Sequence, residues 1–381
     1  MSDQKIIYLD NNATTAVDPE VRDAVFLSLK RDIGNPSSGH LCGKRVRETI
    51  GHNRELIADL IGCNPEEIYF TSGGTESNNL ALIGAALARG KGHLIVSSVE
   101  HPSVSNTCRY LESLGFGVSY VTVATDCIVH PNDIMKAVRS DTFLISVMHS
   151  NNETGAVQPV EEIGMFARER GILFHTDTAQ SIGKTYFSTG THTDMATIVS
   201  HKFYGPKGIG ALYVRKKILI RPILFGAGHE QGMRPGTENV SGIAGLGKAC
   251  ELARRDLKLR IAHTKYLSGM LYLRLKTYLP DIVLNAENAK RLPNTLSIQV
   301  PGVAALALIE ALKDQVAFST GSACHAGLCT PSRVLKQMGL SDEDALSTIR
   351  LSTGKDNTED EMIQAAELIA KAAAAIRKNT A

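Results

Sequence analysis

Several short stretches of the chain set reactive side chains among glycines and hydroxyls. In SHKFYGPKG (Ser200–Gly208) Lys202 stands between an imidazole, His201, and an aromatic ring, after an apolar run and before a Gly-Pro-Lys-Gly turn. A lysine drawn into a dry cleft loses preference for its charged form, and the neutral amine condenses with aldehydes. In FHTDTAQ, Asp177 and Gln180 lie three residues apart where a strand gives way to a helix, so both can face one cleft. A carboxylate buried there needs a cationic or proton-bearing partner. In TSGGTESNN, Gly73 and Gly74 admit a close backbone approach and Thr75 adds a hydroxyl at a helix start. Exposed N–H groups with a hydroxyl make a phosphate cradle. Amine, carboxylate and cradle together match what pyridoxal 5'-phosphate requires: an anchored phosphate, a ring nitrogen held protonated, and an aldehyde held as a Schiff base.

Other stretches add to this set. SSVEHPS puts His101 just past a strand, where its ring can stack on a cofactor, and HSNNETG puts Asn151, Asn152 and Glu153 at another strand end. In FSTGSACHAGLCTPS, Cys324 lies among small residues that suit a loop able to reach into a cleft, and a thiolate there is a nucleophile. Arg350 in STIRLSTG could fork onto a substrate carboxylate. Taken singly, each has a plainer reading: a capped turn, a satisfied structural histidine, an inert loop thiol, a surface ion pair. The combination is what carries the chemistry.

These residues need elements to position them. Apolar, β-rich runs at 67–72, 93–99, 118–123, 143–148, 172–177, 196–200 and 211–214 alternate with amphipathic stretches such as ESNNLALIGAALARG and VEEIGMFARERG. That alternation predicts an α/β domain with a mostly parallel seven-stranded sheet covered by helices on both faces. In such sheets ligands bind beyond the carboxyl ends of the strands, where the polar stretches fall. After about Val240 a long helical segment leads into a smaller α+β unit. YLDNNATT either joins that unit or lines the cleft. The expected division is 15–258 for the large domain, and 1–14 with 259–381 for the small one.

The totals agree with a soluble enzyme. A chain of 381 residues, 43% hydrophobic and 21% charged, buries an ample core. A net charge of +2 without charge runs gives no electrostatic reason to expect nucleic acid or a membrane. The start lacks a signal-peptide pattern. Seven cysteines without a C-x-x-C pair argue against a disulfide framework and a zinc site, so no metal is expected and the compartment is read as cytoplasmic.

In YLDNNATT, FTSGGTESNN, SSVEH, NNETG, HTDTAQ, SHKFYGPKGIGALY, GHEQGMRPGTEN, RLPNT, STGSACHAG and STIRLSTG the sequence resembles the cysteine desulfurases, class V aminotransferases of the fold-type I pyridoxal phosphate enzymes. The motifs fall in that family's order over essentially the whole chain. The resemblance implies that Lys202 binds the cofactor and shuttles the Cα proton. Asp177 would pair with the pyridine nitrogen and Gln180 with the ring hydroxyl. His101 would stack and transfer protons, while Gly74, Thr75 and His201 would hold the phosphate. Thr237 would reach the partner subunit's phosphate in a homodimer, and Asn152 and Arg350 would hold the substrate carboxylate. Cys324 would attack the sulfur of L-cysteine, forming a persulfide for a sulfur-acceptor protein and leaving alanine.

Two departures bear on these roles. Many relatives carry a serine three positions before the lysine as a phosphate ligand; here Val199 stands there, and the adjacent Ser200 is the cofactor-binding candidate in its place. GHEQGMRPGTEN, RLPNT and the His325 after Cys324 are also similar to selenocysteine lyases, which release selenium from L-selenocysteine. Cys329 is read as a bystander. An aminotransferase on the same fold would leave Cys324 without a job, and a non-catalytic sulfur-transfer scaffold would leave Lys202 and Asp177 without one.

Overall fold

The computed structural model describes residues 6–320 and 330–379 in full, with the backbone alone of 323–325, 328, 329 and 380. A short strand β1 (Ile7–Tyr8) and helices α1 (Pro19–Arg31) and α2 (Leu41–Ile61) precede the strand–helix alternation. That alternation runs β2 (Ile68–Thr71), α3 (Gly74–Arg89), β3 (His93–Ser97), α4 (Pro102–Ser113), β4 (Gly117–Val121), α5 (Pro131–Ala137), β5 (Thr142–Ser146), α6 (Val160–Glu169), β6 (Leu173–Asp177), β7 (Met195–Val199) and β8 (Gly210–Val214). All seven runs expected as strands are strands of one sheet, in the order β2-β8-β7-β6-β5-β3-β4.

Strands β7, β6, β5, β3 and β4 are parallel, and β8 runs antiparallel to both β7 and β2. Only the turn through SHKFYGPKG joins β7 to β8, too short for a crossover, so the antiparallel direction is imposed. Every residue of β3, β5, β7 and β8 is buried, which is why their sequences are continuously apolar instead of alternating. The strand order changes direction between β3 and β5. A crevice opens at such a point, and His101 follows β3 while Asn152 follows β5.

The long helical segment is a single helix, α7 (Val240–Tyr278). Beyond it come β9 (Val283–Leu284), β10 (Thr295–Gln299), α8 (Ala305–Leu312), β11 (Val316–Ala317), β12 (Ser319–Thr320), β13 (Ala323–His325), β14 (Leu328–Thr330), α9 (Arg333–Gln337), α10 (Asp342–Leu346), β15 (Thr348–Ser352) and α11 (Glu359–Thr380). A second sheet has the order β12-β15-β10-β9, and β1 pairs in parallel with β11. Its core, including Leu271, Leu308, Ile349 and Ile369, takes in Ile7 and Leu9 from the N-terminal segment. Val334, Leu335, Met338 and Ala345 instead pack with Ile95, Ile145 and Phe174 against the main sheet, so α9 and α10 belong by packing to the larger layer. Among the described residues no helix is long and apolar enough to cross a membrane.

Candidate active site

A cleft of about 390 Å³ lies at the carboxyl ends of the parallel strands. It is lined by nine of the residues expected there: Gly74, Thr75, His101, Asn152, Asp177, Gln180, His201, Lys202 and Arg350. They arrive from distant parts of the chain because each strand end delivers one or two of them.

Lys202 ends a single 3-10 turn that follows β7. Its Nζ donates to the backbone carbonyls of Asn12 and Ala13, each at 2.8 Å. Burial, reinforced by the Arg350 guanidinium, lowers its pKa from 10.5 to about 8, with Asp177 and Asp10 pulling the other way. The neutral amine is therefore accessible near neutral pH. His201 donates to or accepts from Thr14 Oγ1 at 3.0 Å, and burial beside Lys202 and Lys207 lowers its pKa to about 4.

Asp177 is the last residue of β6. Its Oδ1 accepts from the Ala179 N–H at 2.9 Å and its Oδ2 from Asn78 Nδ2 at 2.8 Å. Asn78 Nδ2 also donates to Ser103 Oγ at 2.8 Å, and Ser103 in turn touches His101. The Ser103 backbone N–H donates to His101 Nδ1 at 3.1 Å, capping α4. A backbone N–H cannot accept, so Nδ1 is the acceptor and neutral His101 carries its proton on Nε2. His101 opens onto the cleft, yet the protein around it removes enough water to lower its pKa, opposed by Asp177 and aided by Lys202.

Helix α3 starts at Gly74 behind a Gly73 at φ 148°, a conformation suited to glycine. A Cβ on Gly74 would sit 2.6 Å from Val199 Cγ2, so only glycine lets this helix start come so close to the strand end. The first N–H groups of a helix lack intrahelical partners, and here they stand at the cleft wall with the Thr75 hydroxyl. That is the donor set a phosphate monoester takes.

Arg350, on β15, donates through Nη2 to Asp10 Oδ1 at 2.8 Å and through Nη1 to the Asn152 carbonyl at 3.1 Å. Among the described residues its Nε is buried without a hydrogen-bond partner. Asp10 also accepts from Ser319 Oγ at 2.8 Å, at the root of the segment leading to Cys324. On the far side of that segment Ser332 caps α9 and donates to Glu153, the neighbour of Asn152, whose carboxyl burial pushes up to about 7.

Three expected site residues stand elsewhere. The Ser200 hydroxyl is buried, faces Gly205 and has no hydrogen-bond partner among the described residues, and Ser200 does not line the cleft. Thr237 is exposed in the loop between β8 and α7 and does not line the cleft. The backbone of Cys324 pairs across β13–β14 with that of Cys329, but its side chain lies outside the described residues.

Sequence reasoning missed the residue that joins these parts. Asn12 is buried and bonded on every polar atom. Its N–H donates to Ser352 Oγ at 2.9 Å and its Nδ2 to Thr295 Oγ1 at 2.8 Å. Its carbonyl accepts from Lys202 Nζ and, at 2.9 Å, from Gln180 Nε2. Its Oδ1 accepts from Asn294 Nδ2 at 3.1 Å and Lys184 Nζ at 3.0 Å. The tandem asparagines of YLDNNATT were the available signal, yet nothing local says what they bind.

Comparisons with known proteins converge. The model of the aminotransferase class-V family matches residues 7–364. A cysteine desulfurase IscS of Salmonella schwarzengrund (strain CVM19633) is 43% identical over 97% of this chain and 93% of its own length. The solved structure of a NifS-like protein superposes with a TM-score of 0.90 at 36% identity, covering 96% of this chain and 98% of that one. The structure described as SspA in complex with cysteine does so with a TM-score of 0.81 at 36% identity, covering 92% and 100%. Strand order, cleft and sequence agree along nearly the whole chain, and this protein belongs to the class-V aminotransferase family, with the fold-type I architecture of pyridoxal phosphate enzymes.

Proposed function

We propose that the protein is a pyridoxal phosphate-dependent cysteine desulfurase, converting L-cysteine to L-alanine with the sulfur left as a persulfide on Cys324. The observation that carries the reading is the convergence of Lys202, Asp177, Gln180, His101 and Arg350 on one cleft. When bound, the cofactor withdraws electrons from the substrate's carbon atoms through its protonated ring.

The chain's own residues do the rest. Asp177, its carboxylate held by Asn78 and the Ala179 N–H, would pair with the ring nitrogen. Gln180 offers an N–H to the ring oxygen, and Gly74, Thr75 and His201 hold the phosphate with Thr237 of a partner subunit. Lys202 Nζ takes the Cα proton as a neutral amine, and His101 stacks on the ring and moves protons at Nε2. Arg350 and Asn152, both at the cleft wall, take the substrate carboxylate. The Cys324 thiolate attacks the substrate sulfur. An S–S bond forms, the Cβ–S bond breaks, and its electron pair stays on Cβ to take a proton. Cysteine plus enzyme thiol gives alanine plus enzyme persulfide, with no external oxidant. The sulfur then passes to an acceptor protein, and the enzyme works as a cytoplasmic homodimer.

Borohydride reduction of the cofactor-loaded protein followed by peptide mapping is expected to place the label on Lys202; a label elsewhere removes the basis of the reading. Cys324→Ala is expected to abolish alanine formation from cysteine. Full activity of that variant on cysteine rules out the persulfide, and a wild-type kcat/KM that favours selenocysteine would assign a selenocysteine lyase instead. Alanine release without a keto-acid acceptor separates both from an aminotransferase.

A further inference from the structure

Lys184 is a second buried lysine, four residues beyond Gln180 in the run of turns that follows β6, and outside the cleft lining. Its Nζ lies 2.6 Å from Gln180 Oε1 and 3.0 Å from Asn12 Oδ1. Among the described residues it has no carboxylate partner. Burial, with Lys202 and Arg350 nearby, lowers its pKa well below the ordinary lysine value. A neutral amine has two N–H groups, and the fold supplies two carbonyl oxygens to receive them.

The amide of Gln180 is thereby oriented from two sides. The Asn12 backbone carbonyl can only accept, so the Gln180 atom 2.9 Å from it is nitrogen. The amide oxygen then points to Lys184, which donates to it. One N–H of Gln180 is spent on Asn12, and the other is free for the cleft that Gln180 lines. Without Lys184, the present orientation would leave a buried carbonyl unpaired, and the flipped one would lose the Asn12 bond. The preference between them would collapse.

We propose that Lys184 is a positioning residue that locks Gln180 with an N–H, and not its carbonyl, toward the cofactor's ring oxygen. This rests on the reading of Gln180 given above. An N–H there stabilises the oxygen as an anion, and a carbonyl would repel it. In the cofactor-loaded protein the nitrogen of Lys202, when protonated, would share that oxygen, and without that proton Gln180 would be the donor left to hold it.

The test is a pH titration of the visible absorbance band of the cofactor-loaded protein, with the rate of cofactor release measured alongside. Lys184→Met is expected to raise the midpoint by about one pH unit, the worth of one hydrogen bond to a charged group, and to speed cofactor release. Gln180→Leu should move the midpoint the same way, and the double variant no further than Gln180→Leu alone. A wild-type midpoint in Lys184→Met, with Gln180→Leu shifted, overturns the role of Lys184 and leaves that of Gln180 standing. Additive shifts in the double variant overturn it too, since Lys184 would then act by another route. An unshifted Gln180→Leu removes both. Should Lys184→Met fail to fold, Lys184→Gln replaces it, with an amide one atom short that serves one carbonyl. A smaller upward shift supports the proposal, and an unchanged midpoint overturns it.

Discussion

Lys202 owes its reactivity to what surrounds it: a cleft that strips water and an arginine that adds a like charge. Both act on the free enzyme, so the rate at which the apoprotein captures pyridoxal phosphate should rise with pH and reach half its ceiling at about 8. Stopped-flow absorbance across pH measures this. Arg350→Met removes the cation opposing the charged amine and should move the midpoint upward. Glu100 gives a second pH signature. Its carboxyl is buried, accepting from Ser97 Oγ and, at 2.7 Å, from the Met148 N–H, with Oε2 unpaired among the described residues. Burial raises its pKa from 4.5 to about 8. Between those values the folded protein keeps a proton that the unfolded chain has lost, so this group's contribution to stability falls as pH rises. Glu100→Gln mimics the protonated acid, and its Tm should gain on wild type from pH 5 to pH 8 in parallel melts.

Elements hold these residues through contacts that no local pattern announces. The loop between β8 and α7 is fixed at Glu230, whose carboxylate takes a two-pronged bond from Arg54 of α2 at 2.8 and 2.7 Å. The same carboxylate accepts from the Phe70 N–H of β2 at 2.9 Å. Glu230 and Gln231 both adopt positive φ, 46° and 57°, a cost the anchoring must offset. Arg54 also lies over the Phe70 ring at 4.5 Å. Removing one partner of a buried pair leaves the other charge uncompensated. Arg54→Met should therefore lower stability by about 3 kcal/mol, read as a lower urea midpoint at unchanged slope. The strand runs were visible because strands buried on both faces are continuously apolar. Arg54 and Glu230 were not, since an ion pair across 176 residues has no local period.

For the whole molecule, Thr237 poses the sharpest question. It is exposed and away from the cleft of its own chain, so its expected phosphate contact requires a second subunit. Lys202→Ala and Thr237→Val should each be weak or inactive alone. Co-refolded, they should regain activity, because one of the two sites then combines an intact lysine with an intact threonine. No recovery from mixed subunits, with a dimer verified by light scattering, removes Thr237 from the partner's site. Within one chain the corresponding union is made by Asn12, which ties β10, β15, Lys202 and the buried Lys184 together. Loss of that side chain should affect activity and stability together.

The amino-acid order alone determined the strand–helix alternation, the polar strand ends and the residue types for pyridoxal phosphate chemistry. Those are local signals, written in hydrophobic period, turn glycines and side-chain chemistry. Tertiary structure decided that the Ser200 hydroxyl is buried against Gly205, that Asn12 binds Lys202, Gln180 and Lys184 at once, and that α9 and α10 pack on the main sheet. Each of these depends on which atoms meet across tens to hundreds of residues, and a one-dimensional pattern holds no record of such distances until the chain is packed.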